Sequence, residues 1–95
     1  MLNISRLFWN EWNVAHIARH SVTPEEVEQV CHIDPIVQKG KEGRLLVFGP
    51  TENRRMLTVI LDPVEEKGVY YPVTAYKASK KLIKIYLNQK GGEQK

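Results

Sequence analysis

The chain has 95 residues, of which 42% are hydrophobic and 26% are charged, and its formal net charge is +3. This length supports one domain with one small core, over residues 1–88, followed by a flexible polar tail over residues 89–95. No apolar run is long enough to span a bilayer. A single cysteine, Cys31, excludes an internal disulfide and a cysteine-based zinc site, so we expect a soluble protein of the reducing cytoplasm.

The N-terminal segment predicts a short strand and then a helix. Strand-compatible residues at positions 4–9 favour the strand. Residues 10–20 have helical periodicity, with Val14, Ile17 and Ala18 expected on the buried side. The opposite side gathers aromatic and basic residues: Trp12, His16, Arg19 and His20.

A second helix is predicted from its capping residues. Thr23 can cap the helix, Pro24 fits its first turn, and Glu26 completes a capping box. The apolar spacing of Val27, Val30 and Cys31 defines its buried face. This helix should end before Asp34 and Pro35.

Three strands are predicted after a polar connection at residues 36–43. Residues 44–48, 54–61 and 69–75 are joined by short loops, which favours an antiparallel meander. Pro72 indicates an edge position or an irregularity in the last strand. Both faces of the central strand are apolar, so we expect the helices to cover one face and a partner to cover part of the other. The expected class is α+β, with an N-terminal helical pair packed on a three- to four-stranded antiparallel sheet, followed by a C-terminal basic helix.

The basic helix is predicted to begin near Tyr76. At 100° per residue its exposed stripe contains Lys77, Lys80, Lys81, Lys84 and Asn88, and its packed side contains Ala78, Leu82, Ile85 and Tyr86. No acidic residue lies between Lys77 and Asn88. The stripe therefore indicates an anionic partner, or else a solvated face whose lysine stems cover apolar surface.

Three segments carry a resemblance to a known family. They are WNEWN at 9–13, HIARHSVTPEEV at 16–27 and VTAYKAS at 73–79. Together they resemble the BrnT family, small bacterial toxins of type II toxin–antitoxin pairs with a fold related to the RelE ribonucleases. The resemblance extends over about residues 8–86.

The resemblance implies a metal-independent endoribonuclease that acts on single-stranded mRNA, needs no cofactor, and is inhibited by an antitoxin encoded beside it. Two positions depart from the family pattern: Tyr76 stands where members commonly have an arginine, and Leu82 stands near their glutamate. Lysine at 77 or 80 lacks the bidentate geometry of that arginine. The alternative is therefore a catalytically inactive BrnT-like module that binds a partner or RNA.

RNA cleavage without a metal needs a proton acceptor, a proton donor and cations around the phosphorane. We assign catalysis to His20 as acid or base, to Tyr76 as an alternative proton donor, and to Lys81. The expected RNA-binding residues are Trp12, His16, Arg19, Arg54, Arg55, Lys77, Lys80 and Lys84. His16 and His20 are spaced i,i+4, but no third ligand is identifiable, so no dedicated metal site is expected.

If these assignments are correct, the side chains of Lys77, Lys81 and Arg54 lie near His20 in the folded chain.

A third hypothesis is duplex DNA binding through the lysine helix, which predicts that DNA affinity falls steeply as the salt concentration rises. The oligomeric state is left open by the sequence.

Overall fold

The computed structural model describes residues 3–91, which form five strands and three α-helices. In chain order these are β1 Arg6–Leu7, α1 Glu11–Ala18, α2 Pro24–His32, β2 Ile36–Lys39, β3 Leu45–Pro50, β4 Met56–Pro63, β5 Val69–Lys77 and α3 Lys80–Gly91, with a 3-10 turn at Lys41–Gly43 between β2 and β3. The α+β class is confirmed.

The sheet has the order β1-β5-β4-β3-β2 and is mixed, not purely antiparallel. The predicted meander of β3, β4 and β5 is confirmed, and each neighbouring pair is antiparallel. β1 adds a parallel strand beside β5, and β2 adds an antiparallel edge strand beside β3. The sheet has five strands because residues 36–39 pair with β3 instead of forming a polar connection, and it is mixed because β1 runs parallel to β5. The expectation of three to four antiparallel strands is therefore wrong in number and in direction.

Pro72 lies at an irregularity, as predicted. The register slips between Ile60 and Leu61, so that Ile60 pairs with Thr74 while Leu61 pairs with Pro72. β5 is nevertheless an inner strand for its first two residues, where β1 pairs with Val69 and Tyr70. Pro72 lies beyond that pairing, where the missing N–H removes no bond to β1.

The main core lies between one face of the sheet and helices α1 and α2. Leu57, Val59 and Leu61 of β4 are fully buried there. α2 contributes Val27, Val30 and Cys31, as predicted. Its capping box is also confirmed: Thr23 Oγ1 accepts from the Glu26 N–H at 3.2 Å, and Glu26 Oε1 accepts from the Thr23 N–H at 3.0 Å.

The predicted buried side of α1 is wrong in two of its three residues. Val14 is 37% exposed and Ala18 is exposed, whereas Asn13 and Ile17 are buried. Asn13 turns inward because its amide donates to the Phe8 carbonyl and its Oδ1 accepts from the Asn10 N–H. A fully hydrogen-bonded asparagine can occupy a core position that hydrophobic periodicity does not mark.

The second face of the sheet is covered in part by α3. Tyr86 packs there against Ile36 and Phe48, and its hydroxyl donates to the Asp34 carbonyl at 2.7 Å. Burial together with the nearby Asp34 carboxylate raises the pKa of Tyr86 above its ordinary value. Within residues 3–91 no helix combines the length and hydrophobicity needed to cross a membrane.

Both ends of α3 differ from the prediction. Its helix begins at Lys80, because Tyr76 and Lys77 still belong to β5 and pair with Thr58 and Leu57. It continues to Gly91, and the Lys90 ammonium pairs with Asp34 at 2.9 Å. The expected flexible tail therefore starts within a helix, and its last four positions, 92–95, lie outside the described residues.

Candidate nucleic-acid interface

His20 follows the C-terminal end of α1. We call the surface formed by His16, His20 and Tyr76 the His20 corner. The Ser21 N–H donates to the Ala18 carbonyl and the Val22 N–H to the Ile17 carbonyl, with Ser21 at φ 59°. This is the Schellman pattern, in which one left-handed residue ends a helix. The chain therefore turns sharply after His20 and leaves its imidazole exposed.

Arg55, just before β4, connects the His20 corner to the sheet through hydrogen bonds and an ion pair. Its guanidinium donates to the Ser21 carbonyl at 2.6 Å and to the His20 carbonyl at 3.4 Å. The same group forms an ion pair with Glu26 at 3.1 Å. Arg55 was predicted to bind RNA, but these contacts occupy its guanidinium, so we interpret it as a positioning residue for His20.

Glu26 belongs to the same network, a role that its capping-box signal did not reveal. Partial burial alone would raise the pKa of Glu26, but hydrogen bonds from the Thr23 N–H and the Arg55 guanidinium outweigh that effect and hold its pKa below the ordinary value. The carboxylate is thus charged at neutral pH. The Glu26 carboxylate accepts from the N-terminus of α2 and, through Arg55, connects it to the end of α1 and the start of β4.

Three rings are assembled at this corner. The imidazole of His20 lies between His16, with ring centroids 5.8 Å apart, and Tyr76, with ring centroids 6.0 Å apart. Both contacts are edge to face. The imidazole nitrogens of His16 and His20 have no hydrogen-bond partner among residues 3–91. They are therefore available for hydrogen bonds with a bound molecule.

Several lysines that follow Tyr76 in the chain have no ion-pair partner within the described residues. Within the described part of the chain, the paired arginines and lysines are Arg6, Arg44, Arg55 and Lys90. The lysines beside Tyr76 and along the first turns of α3 are exposed and unpaired there: Lys77, Lys80, Lys81 and Lys84. Positive charge along residues 77–84 is thus left uncompensated, which favours an anionic ligand.

Short chain connections link Lys77, Lys81 and Arg54 to residues that contact His20. Lys77 follows Tyr76, whose ring contacts His20. Arg54 precedes Arg55, which bonds the His20 carbonyl, and Arg54 adopts φ 65° in the β3–β4 turn. Lys81 follows Lys77 by four residues, in the first turn of α3. Of the predicted site residues, His16, His20 and Tyr76 have side chains in contact with one another, and Arg54, Lys77 and Lys81 are joined to this cluster through the chain.

Trp12 and Arg19 extend the surface along α1. Trp12 is 75% exposed and lies one helical turn before His16, and Arg19 is exposed beside His20. An exposed indole supplies a stacking surface, and a guanidinium supplies a forked donor to phosphate. Lys84 lies one turn further along α3 and is the most distant lysine of the set from Tyr76 along the chain.

A separate cleft of about 440 Å³ lies at the opposite end of β4 and is lined by Lys41, Glu42, Arg44, Asp62 and Pro63. Arg44 donates to both carboxylate oxygens of Asp62, at 2.6 and 3.0 Å. That hydrogen bonding holds the pKa of Asp62 below its ordinary value. Because the two charges neutralise each other, the cleft offers less to an anion than the corner at His20 does.

Sequence reasoning missed Ser21 and Glu26 as parts of the site framework. A serine in the left-handed region gives no sequence signal, since glycine and asparagine are the usual residues there.

No cluster of three or more histidine, cysteine or acidic side chains able to hold a metal exists within residues 3–91. Comparison of the chain with protein-family models, with curated proteins and with solved structures gave no match.

Proposed function

We propose that the chain is a metal-independent endoribonuclease of the toxin class, acting on single-stranded mRNA in the cytoplasm. The observation that carries the proposal is His20, whose imidazole has no hydrogen-bond partner among residues 3–91 and contacts the rings of His16 and Tyr76. Unpaired lysines follow Tyr76 along the chain. The resemblance of three sequence segments to the BrnT family supports the same assignment.

The proposed reaction is an internal transesterification. His20 removes the proton from a ribose 2′-hydroxyl, the 2′-oxygen attacks the adjacent phosphorus, and the 5′-oxygen leaves with a proton from Tyr76 or His16. The products are a 2′,3′-cyclic phosphate and a 5′-hydroxyl. Lys77 and Lys81 stabilise the added negative charge of the phosphorane.

Substrate binding is assigned to the surrounding surface. Trp12 stacks on a base, while Arg19 and Arg54 contact phosphates. Lys80 and Lys84 extend the positive track along α3. Single-stranded RNA is favoured because its unstacked bases are available for stacking on exposed aromatic rings.

The test is cleavage of a single-stranded RNA in the presence of EDTA. Wild type should produce cyclic-phosphate ends, and a substrate with a 2′-deoxyribose at the cleaved position should resist. His20→Ala should lower the rate by roughly 10²–10⁴-fold, the usual contribution of a general acid or base. Lys81→Ala should also lower it, whereas Lys41→Ala, an exposed lysine of the distant cleft, should not.

Two results together would reject the nuclease: no cleavage by wild type on any single-stranded RNA tested, and unaffected growth of cells expressing the chain. The second candidate would then stand, a binding module without catalysis. It is favoured by Tyr76 in place of the family arginine and by the incomplete cover over Leu46 and Ile60 on the second sheet face. A stable complex with the product of the neighbouring gene, without RNA cleavage, would support this module.

A further inference from the structure

We infer that His16 and His20 form a binding site for a transition-metal ion such as Zn²⁺ or Cu²⁺, which would switch off the corner described above. The switch rests on the proposed function; the metal site itself does not. Imidazole nitrogen is a preferred ligand of these ions. His16 lies in the last turn of α1 and His20 in the turn that follows it, so two imidazoles four residues apart can chelate one ion, with water completing its coordination.

The separation of the two rings fits such an ion. Their centroids are 5.8 Å apart. Two imidazoles bound to one Zn²⁺ at Zn–N distances of about 2.0–2.1 Å place their ring centres on the order of 5–6 Å apart. Both side chains are exposed, so their torsions can adjust to direct one nitrogen of each ring at an ion.

The hydrogen bonding of the ring nitrogens distinguishes His16 and His20 from the third histidine, His32. His32 has Nδ1 at 3.1 Å from the Glu28 carbonyl and Nε2 at 3.2 Å from the Ile4 carbonyl. Both of its nitrogens are therefore engaged within the fold. His16 and His20 have no such hydrogen bonds among residues 3–91, so a metal ion displaces no described hydrogen bond when it binds them.

The site differs from a structural zinc centre in having two protein ligands only. Structural sites use four, whereas sites with open positions keep water or exchangeable ligands on the ion. Binding should therefore be reversible, and it should weaken as the solution is acidified because protons compete for the imidazole nitrogens. A bound ion would occupy the nitrogen that His20 needs for proton transfer, and so would stop cleavage without unfolding the chain.

The decisive measurement is isothermal titration of the untagged chain with ZnCl₂, in a buffer that does not chelate zinc. Wild type should bind one ion per chain. His16→Ala and His20→Ala should each weaken binding by at least about tenfold, since even loss of a partner outside the ligand shell commonly costs 10–100-fold in metal affinity. His32→Ala is the matched control and should bind zinc like wild type. Circular dichroism confirms that each variant is folded.

The site is overturned if His32→Ala weakens binding as much as His16→Ala does, or if wild type and the His16→Ala, His20→Ala double variant bind equally. RNA cleavage gives the second arm, in which zinc should inhibit wild type and EDTA should restore it. Zinc binding that depends on both histidines, in a chain that never cuts RNA, would uphold the metal site and reject the proposed nuclease instead.

Discussion

The imidazole of His20 lies edge to face against the phenol ring of Tyr76, with centroids 6.0 Å apart and ring planes at 62°. His20 comes from the end of α1 and Tyr76 from the end of β5, 56 positions later by their numbers. The contact therefore joins the two chain segments that carry most of the resemblance to BrnT toxins. Tyr76 stands where BrnT toxins, which the chain resembles in sequence, commonly have an arginine.

Two substitutions of Tyr76 test separately whether its hydroxyl donates a proton and whether an arginine at this position strengthens phosphate binding. Tyr76→Phe keeps the ring but removes the hydroxyl, so cleavage should fall by roughly 10²-fold or more if the phenol donates the proton to the leaving oxygen. Tyr76→Arg introduces a bidentate phosphate ligand and should increase RNA affinity. Single-turnover cleavage rates and RNA binding of both variants provide the measurement. Unchanged cleavage by Tyr76→Phe would assign proton donation to His16.

Neighbouring arginines at the β3–β4 turn should behave differently. Arg55→Ala removes hydrogen bonds to the Ser21 carbonyl and to Glu26, and should lower the free energy of unfolding by about 1–2 kcal/mol. Arg54→Ala removes a side chain with no described partner, so it should weaken RNA binding with little change in stability. Urea unfolding and RNA titration of both variants test the pair. Equal loss of stability in the two would contradict the positioning role of Arg55.

Much of the fold follows from local sequence signals. The capping box at Thr23 and the apolar spacing of Val27, Val30 and Cys31 define α2 correctly, because both signals act within one helix. The meander follows from short connections between apolar strands. The short strand predicted within residues 4–9 is confirmed as β1, but its parallel pairing with β5 was not predicted. β2 was missed, since a strand of four residues is too short for its periodicity to stand out. The pairing of these two strands depends on tertiary contacts such as the Ser5 N–H to the Gly68 carbonyl at 2.8 Å.

The candidate residues of the site were named from the sequence, but their contacts were not. Residue types alone identified His20 and Tyr76 as reactive candidates and the lysines as phosphate ligands. They did not distinguish Arg54 from Arg55, because the contacts of Arg55 to Ser21 and Glu26 bridge segments far apart in sequence. The helix start near Tyr76 was also misplaced, since β5 continues to Lys77 through its pairing with Leu57.

Acid should weaken the fold through Glu26. Its pKa is lowered in the folded chain, so its contribution to stability is fully present above the ordinary value of 4.5 and is lost as the pH falls through the folded value. The difference in free energy of unfolding between wild type and Glu26→Gln should therefore be largest near neutral pH and shrink below about pH 4.5. Chemical unfolding over a series of pH values measures it. Glu25→Gln removes an exposed charge from the same helical turn and serves as the control; an equal pH-dependent loss there would contradict the assignment.

Cys31 should resist thiol reagents as long as the chain is folded. It is 5% exposed, and burial raises the pKa of its thiol from 9.0 to about 12. The reactive thiolate is therefore roughly 1,000-fold scarcer at pH 8 than in an unfolded chain. Alkylation followed by mass spectrometry should be slow in buffer and rapid in guanidinium. Rapid labelling of the native chain would show that the packing around α2 opens readily.

Thr58 should be replaceable by valine with a gain in stability. It is fully buried between its cross-strand partners Phe48 and Tyr76, and its hydroxyl is the one described buried side-chain group without a hydrogen-bond partner. An unsatisfied buried hydroxyl costs about 1–3 kcal/mol, so Thr58→Val should raise the free energy of unfolding by roughly 1 kcal/mol. Thr51→Val is the matched control, because the Thr51 hydroxyl accepts the Arg55 N–H at 3.1 Å and its loss should destabilise the chain. Urea unfolding of the two variants should therefore give changes of opposite sign, and destabilisation by both would mean that the Thr58 hydroxyl has a partner in solution.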